Sequence, residues 1–181
     1  GAPVVAAARV GAGGAAGRDL GLCASERERE RGRGGALGPS PVKAAAGELG
    51  LPVTAQVDDL LELGAELAVV VAYGRLIKPH VLDVLPMVNL HFSLLPRWRG
   101  AAPVERAILA GDHVTGVCVM ALEAGLDTGP VYAVGERAIG DNETLEEVRT
   151  ALTEAGTPMR LDLMPTRRPE RRPSAEAQTT E

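Results

Sequence analysis

Aromatic side chains are scarce in this chain: one Trp, two Tyr and one Phe among 181 residues. A hydrophobic core must therefore be built from Val, Leu and Ala. The two cysteines, Cys23 and Cys118, have no metal-type spacing and are too few for a disulfide framework. Free thiols in a reducing cytosol are the expectation. No apolar run approaches the roughly 18 residues of a membrane span. The N-terminus lacks the compact apolar segment of a signal peptide, so a cytoplasmic protein with no membrane partner is expected. A Gly-x-Gly-x-x-Gly after a strong strand is missing, as is a P-loop, which leaves nucleotide binding with little support. The formal net charge of −5 argues against a protein that coats nucleic acid through global charge. A local basic patch remains open.

What is present fits one domain of ordinary size. Hydrophobic residues make up 45% of the chain, while much of the Gly and Pro lies in the two ends. Residues 3–10 read as a weak helix ended by Gly11, Gly13 and Gly14, and residues 19–24 as a short strand. The alternating charges of residues 25–35 read as an exposed loop. Ser40 and Pro41 suit the N-cap and first position of a helix running to Gly50. A short extended segment at residues 51–53 and a short helix at residues 57–64 follow. Residues 66–72, Glu66 followed by the continuous apolar run Leu-Ala-Val-Val-Val-Ala, read as a buried strand. Residues 78–85 make a helical turn or two, and residues 88–92 the next buried strand. A helix at residues 103–110, a strand at 116–122 and another at 131–137 complete the alternation. Residues 141–155 predict an amphipathic helix with a Thr144/Glu147 capping box, closed by Gly156. Alternation of this kind predicts an α/β fold with a mostly parallel sheet. Residues 165–181 hold no apolar periodicity and read as a disordered tail.

Chemistry concentrates between Met87 and Arg106. Asn89 and His91 are two residues apart, so a strand sends both side chains to one side. A turn-rich segment with Ser93, Pro96, Gly100 and Pro103 follows at once. Polar groups at a strand end beside an irregular loop are how open α/β sheets build sites. Asp127, in the turn Gly-Leu-Asp-Thr-Gly, joins them if the strands run parallel. An amide, an imidazole and a carboxylate can together move an acyl group without a covalent intermediate. The amide N–H donates to a carbonyl oxygen gaining negative charge. The imidazole takes or gives a proton near neutrality, and the carboxylate orients it. The same residues also fit bland roles: a structural His, a loop-capping Asn, an Asx turn. His80 and His113 lie in surface segments and read as bystanders.

The string Asn89-Leu-His91-Phe-Ser93-Leu-Leu-Pro96-Arg-Trp-Arg-Gly100-Ala-Ala-Pro103 resembles the signature of the folate-dependent formyltransferase family. Its Arg-Trp-Arg-Gly-Ala-Ala-Pro continuation is similar to the methionyl-tRNA formyltransferase branch. Val70-Val-Ala-Tyr-Gly74 and Gly125-Leu-Asp127-Thr-Gly129 match as well. The resemblance spans residues 32–156 and implies a Rossmann-like formyltransferase domain over residues 1–164. It also implies formyl transfer from 10-formyltetrahydrofolate to the methionine amine of initiator tRNA, with no metal required. Asn89, His91 and Asp127 match the catalytic trio. Ser93, Leu94, Leu95 and Pro96 match the folate-contacting segment, with Tyr73, Gly74 and Gly125 bordering the same pocket. Arg33, in Gly32-Arg33-Gly34, and Lys43, in Pro-Ser-Pro-Val-Lys, match the tRNA-reading loop, and Arg97 and Arg99 are further tRNA candidates.

The chain departs from the family pattern at both ends. Gly1-Ala2-Pro3 resembles the close of the family's first strand, so that strand is expected to be missing. The C-terminal barrel that helps hold tRNA is expected to be absent. Two other readings stand beside the first: a formyltransferase for another amine, and a truncated remnant that binds folate or RNA without turnover. A monomer is the expected state.

Overall fold

A computed structural model describes the backbone of residues 4–10, 18–25, 29–31, 36–62, 65 and 67–162. The chain divides into two compact units, Gly1–Val88 and Asn89–Glu181.

In the first unit, strands β1 (Val4–Val10), β2 (Arg18–Ser25), β5 (Val53–Thr54) and β6 (Leu67–Val71) lie in the order β5-β2-β1-β6. Strand β1 replaces the helix that its alanines suggested. It is antiparallel to β2, with Ala6 opposite Cys23, and to β6, with Ala6 opposite Val69. A ladder on both edges outweighs the small helix preference of Ala-rich sequence. Strand β5 runs parallel to β2 through Cys23 and Val53. The pairing is thus mixed where a mostly parallel sheet was expected. A connection as short as residues 11–17 can join only antiparallel neighbours, because a parallel return needs a longer crossover.

The charged stretch read as a loop contains a short strand, β3 (Arg29–Arg31), which pairs antiparallel with β4 (Ala36–Gly38) just beyond it, Glu30 opposite Leu37. Helix α1 (Pro41–Glu48) starts as its sequence indicates: the Lys43 N–H donates to the Ser40 hydroxyl at 3.2 Å. Short helices α2 (Asp59–Glu62) and α3 (Pro79–Leu82) contribute the buried Leu60 and Val81. His80 bonds Asp58 at 2.6 Å, and this hydrogen bond holds the Asp58 carboxyl below its ordinary range. Strand β7 (Met87–His91) begins in this unit and carries the chain into the second.

The second unit holds the end of β7, then β8 (Val114–Ala121) and β9 (Val131–Ala138) next in sheet order. Strands β8 and β9 are antiparallel, as the short turn between them requires. Positions 115–120 of β8 are all buried, which explains its unbroken run of Val, Cys and Met. Burial pushes the free Cys118 thiol up, consistent with a packing role. Helices α4 (Pro103–Leu109) and α5 (Leu145–Asp162) meet through Val104, Val148 and Leu152, with Phe92 and Ile108 against them.

The capping box at α5 forms. The Thr144 N–H donates to Glu147 Oε2 at 2.7 Å, and the Glu147 N–H donates to Thr144 Oγ1 at 3.3 Å. The backbone bond from Thr144 holds the Glu147 carboxyl below its ordinary value, so the box is intact above that range and weakens as acid protonates it. Gly156 does not end α5; the helix continues to Asp162. A Cβ there would lie 3.1 Å from Leu90 Cδ2 and 3.2 Å from Val117 Cγ2, so this glycine marks a close approach of helix to strands. Among the described residues no helix is long and apolar enough to cross a membrane.

Gly156 therefore supports two opposed expectations. Gly156→Ala gains about 1 kcal/mol of helix propensity and loses a comparable amount to crowding, leaving stability nearly unchanged. Gly156→Leu overpacks the fully buried Val117 contact and costs about 1–3 kcal/mol. Urea unfolding of both variants measures this; a stabilised Gly156→Leu would contradict the packing.

Candidate active site

Asn89 and His91 project from one face of β7 and are 9% and 6% exposed. Polar groups this deeply buried require partners. Both find Asp127, whose own side chain is 10% exposed. Asn89 Nδ2 donates to Asp127 Oδ1 at 3.5 Å, and His91 Nδ1 lies 3.5 Å from Asp127 Oδ2. Asp127 has φ +49°, a left-handed conformation that Asp tolerates better than most residues. Its Oδ2 also accepts the Gly100 N–H at 2.7 Å. The structure thus gathers the three residues that the sequence singled out.

The other imidazole nitrogen, His91 Nε2, lies 2.9 Å from the Trp98 carbonyl. A carbonyl can only accept, so Nε2 carries the hydrogen of that bond. In the neutral ring Nδ1 then presents its lone pair towards Asp127; in the charged ring it donates to the carboxylate. The imidazole is fixed from both ends.

The segment between β7 and α4 is shaped by its own polar groups. The Ser93 hydroxyl donates to Arg97 O at 2.7 Å, and the Arg97 N–H donates to Leu94 O at 3.1 Å. Trp98 (φ +62°), Gly100 (φ +83°) and Ala102 (φ +53°) are left-handed. Each non-glycine residue there costs about 1–2 kcal/mol, so other contacts must hold the loop. Arg97 and Trp98 both bond Asp112, and the guanidinium groups of Arg97 and Arg106 lie 4.7 and 5.6 Å from the Trp98 ring centre. Arg106 also donates to the Arg99 carbonyl.

The remaining candidates are placed as follows. Ser93 is fully buried, and its hydroxyl serves the loop. Leu94 packs against Gly116 of β8, where a side chain would collide with it. Leu95 is half-buried, and the exposed Pro96 follows it through a cis bond. Gly125 belongs to a tight turn in which a Cβ would strike the Thr128 hydroxyl. Tyr73 and Gly74 follow β6 in the first unit, after the left-handed Ala72. Lys43 is exposed on α1, and Arg33 lies outside the described residues. Arg97, read as a tRNA contact, forms a bidentate ion pair with Asp112 at 2.6 and 3.1 Å. Arg99 is half-buried, and its Nε has no partner among the described residues. Residue types gave no hint of Asp112, of Arg106, or of the Trp98 carbonyl and Gly100 amide. The positive φ required at Gly100 is the one local sign that this loop turns back on the site.

Comparison with known proteins places the chain in a family. The formyl transferase family profile matches residues 22–161. A methionyl-tRNA formyltransferase of Cereibacter sphaeroides is 47% identical over 159 residues, covering 78% of this chain and 53% of the relative. One from Clavibacter sepedonicus is 46% identical over 151 residues, covering 78% and 50%. The chain spans about half the length of the curated relatives it matches. Among solved structures, phosphoribosylglycinamide formyltransferase from Bacillus halodurans superposes with TM-score 0.64 at 26% identity, covering 76% of this chain and 74% of that one. Glycinamide ribonucleotide transformylase 1 from Geobacillus kaustophilus gives TM-score 0.59 at 26% identity, covering 71% and 75%.

The Trp98 contact fixes the His91 tautomer, and nitrogen NMR of labelled histidine reads it directly. The neutral ring is expected to be protonated at Nε2; a ring protonated at Nδ1 would contradict the arrangement.

Proposed function

The chain belongs to the formyl transferase family, and we propose that it is the catalytic part of a methionyl-tRNA formyltransferase. In this reading a formyl group passes from 10-formyltetrahydrofolate to the α-amine of methionine on initiator tRNA. One observation carries it: Asn89, His91 and Asp127 form a buried amide–carboxylate–imidazole cluster in which, among the described residues, Asn89 makes a single long side-chain hydrogen bond. An amide nitrogen has two hydrogens, so one remains to meet a carbonyl oxygen. That is the fit expected for a formyl donor. The relatives' names supply the acceptor.

The donor, when bound, supplies the one-carbon unit as an activated amide. Asn89 Nδ2 donates to the formyl oxygen as the acceptor amine attacks and negative charge gathers there. The amine would give up its proton to the Asp127 carboxylate, the bond from the formyl carbon to N10 of the folate would break, and the departing N10 would take up a proton. His91, held at Nε2 by the Trp98 carbonyl, keeps Nδ1 beside Asp127 Oδ2, where a proton can pass between them. Leu94, Leu95, Pro96 and Gly125 would line the folate, with Ser93 fixing the loop that carries the first three.

Initiator tRNA would be met by basic side chains. Arg33 and Lys43 keep the roles the family pattern implies. Arg97 contributes less than its charge suggests, because Asp112 neutralises it. Among the described residues Arg99 carries no such carboxylate partner, which makes it the stronger contact of the two.

Single-turnover transfer tests the reading. Asn89→Ala is expected to slow transfer roughly 10²–10³-fold while donor binding persists. Transfer to phosphoribosylglycinamide in preference to Met-tRNA would sink the acceptor assignment. Donor binding with no transfer to either would favour an inactive remnant. Separately, Arg99→Ala should weaken Met-tRNA binding and lower its salt slope by about one phosphate contact; an unchanged slope removes Arg99 from the interface.

A further inference from the structure

Asp112 lies outside the trio, in the turn that follows α4, yet three side-chain N–H groups converge on its carboxylate. Its Oδ1 accepts Arg97 Nη2 at 2.6 Å; its Oδ2 accepts Arg97 Nε at 3.1 Å and the Trp98 indole Nε1–H at 2.7 Å. The carboxylate is itself fixed: its backbone N–H donates to Ala107 O at 3.0 Å, anchoring it to the end of the helix. Its side chain is only 14% exposed, so these bonds face little competition from water.

The two residues it grips are those whose neighbours touch the trio. Trp98 offers its carbonyl to His91 Nε2 at 2.9 Å, and Gly100, two residues on, donates its N–H to Asp127 Oδ2 at 2.7 Å. Trp98 is held left-handed at φ +62°, a conformation that a large side chain rarely adopts without external hold. Asp112 supplies that hold at the indole, while Arg97 and Arg106 cover the ring.

We propose that Asp112 is a positioning residue for formyl transfer: by fixing Arg97 and Trp98 it holds the loop that orients His91 and Asp127. It touches no reacting atom. The proposal rests on the function assigned above only for its catalytic consequence; the orientation of His91 can be measured without turnover. A displacement of about 1 Å in a catalytic group can cost on the order of 10²-fold in rate. Loss of the Asp112 grip should therefore act on kcat and leave the folate KM nearly unchanged.

Two variants test this. Asp112→Ala removes the whole grip. Trp98→Phe removes only the indole N–H and keeps a ring beneath the two arginines, so it stands in should Asp112→Ala fail to fold. Each is expected to lower kcat by tenfold or more, on the way to the roughly 10²-fold of a misplaced group. The folate KM should stay within about twofold, and the two effects should be less than additive in the double variant. In both variants, nitrogen NMR should show the His91 ring losing its single Nε2-protonated form for a mixture of tautomers. Unchanged kcat and tautomer in the folded Trp98→Phe variant would overturn the proposal. So would fully additive losses with His91 undisturbed. A wild-type chain that transfers no formyl group would instead overturn the functional reading, and the tautomer measurement would still decide the positioning role.

Discussion

The carboxylate of Asp127 ties together three stretches of chain that have little else in common. It reaches Asn89 and His91 on a strand, the Gly100 amide in a loop, and its own turn between β8 and β9. A carboxylate nine-tenths buried is costly unless its lone pairs are met. Here the donors that meet them are the groups that chemistry would use. The Gly100 amide supplies the short bond, while Asn89 and His91 stand at 3.5 Å, close enough to be oriented and loose enough to exchange partners. Stability and reactivity draw on the same three oxygen–nitrogen contacts, so neither can be altered alone.

The loop between β7 and α4 extends this constraint outward. Left-handed residues at 98, 100 and 102 bend it back over the strand it has just left. Such a path is held by side chains distant in sequence, namely Asp112, Arg106 and Asp127. The Arg-Trp-Arg string has an architectural use as a result. Arg97 closes on Asp112, Trp98 carries the carbonyl that fixes His91, and Arg99 lends its carbonyl to Arg106.

What the sequence made legible follows a physical line. Runs such as Leu-Ala-Val-Val-Val at β6 and the buried stretch of β8 read correctly, because burial on both faces leaves an unbroken apolar signal. The Ser40 cap and the Thr144/Glu147 box read correctly because they are local. Strand β1 was misread because alanine favours helices in isolation, and only pairing with β2 and β6 decides otherwise. Gly156 was misread as a stop because its reason lies across the helix, at Leu90 and Val117. In the site, side-chain chemistry marked Asn89, His91 and Asp127. Backbone donors and acceptors are common to every residue, so the Trp98 carbonyl and Gly100 amide left no trace. Asp112 was hidden by its position, since Gly-Asp after a helix reads as an ordinary turn.

The near-absence of aromatic residues has a practical result. Trp98 is the only tryptophan in the chain, and it sits among Arg97, Arg106 and Asp112, one carbonyl away from His91. Indole emission responds to nearby charge and to solvent. The tryptophan emission of this chain, selected by exciting at the red edge of the absorption band, therefore comes from one place, and that place is the loop over the candidate active site.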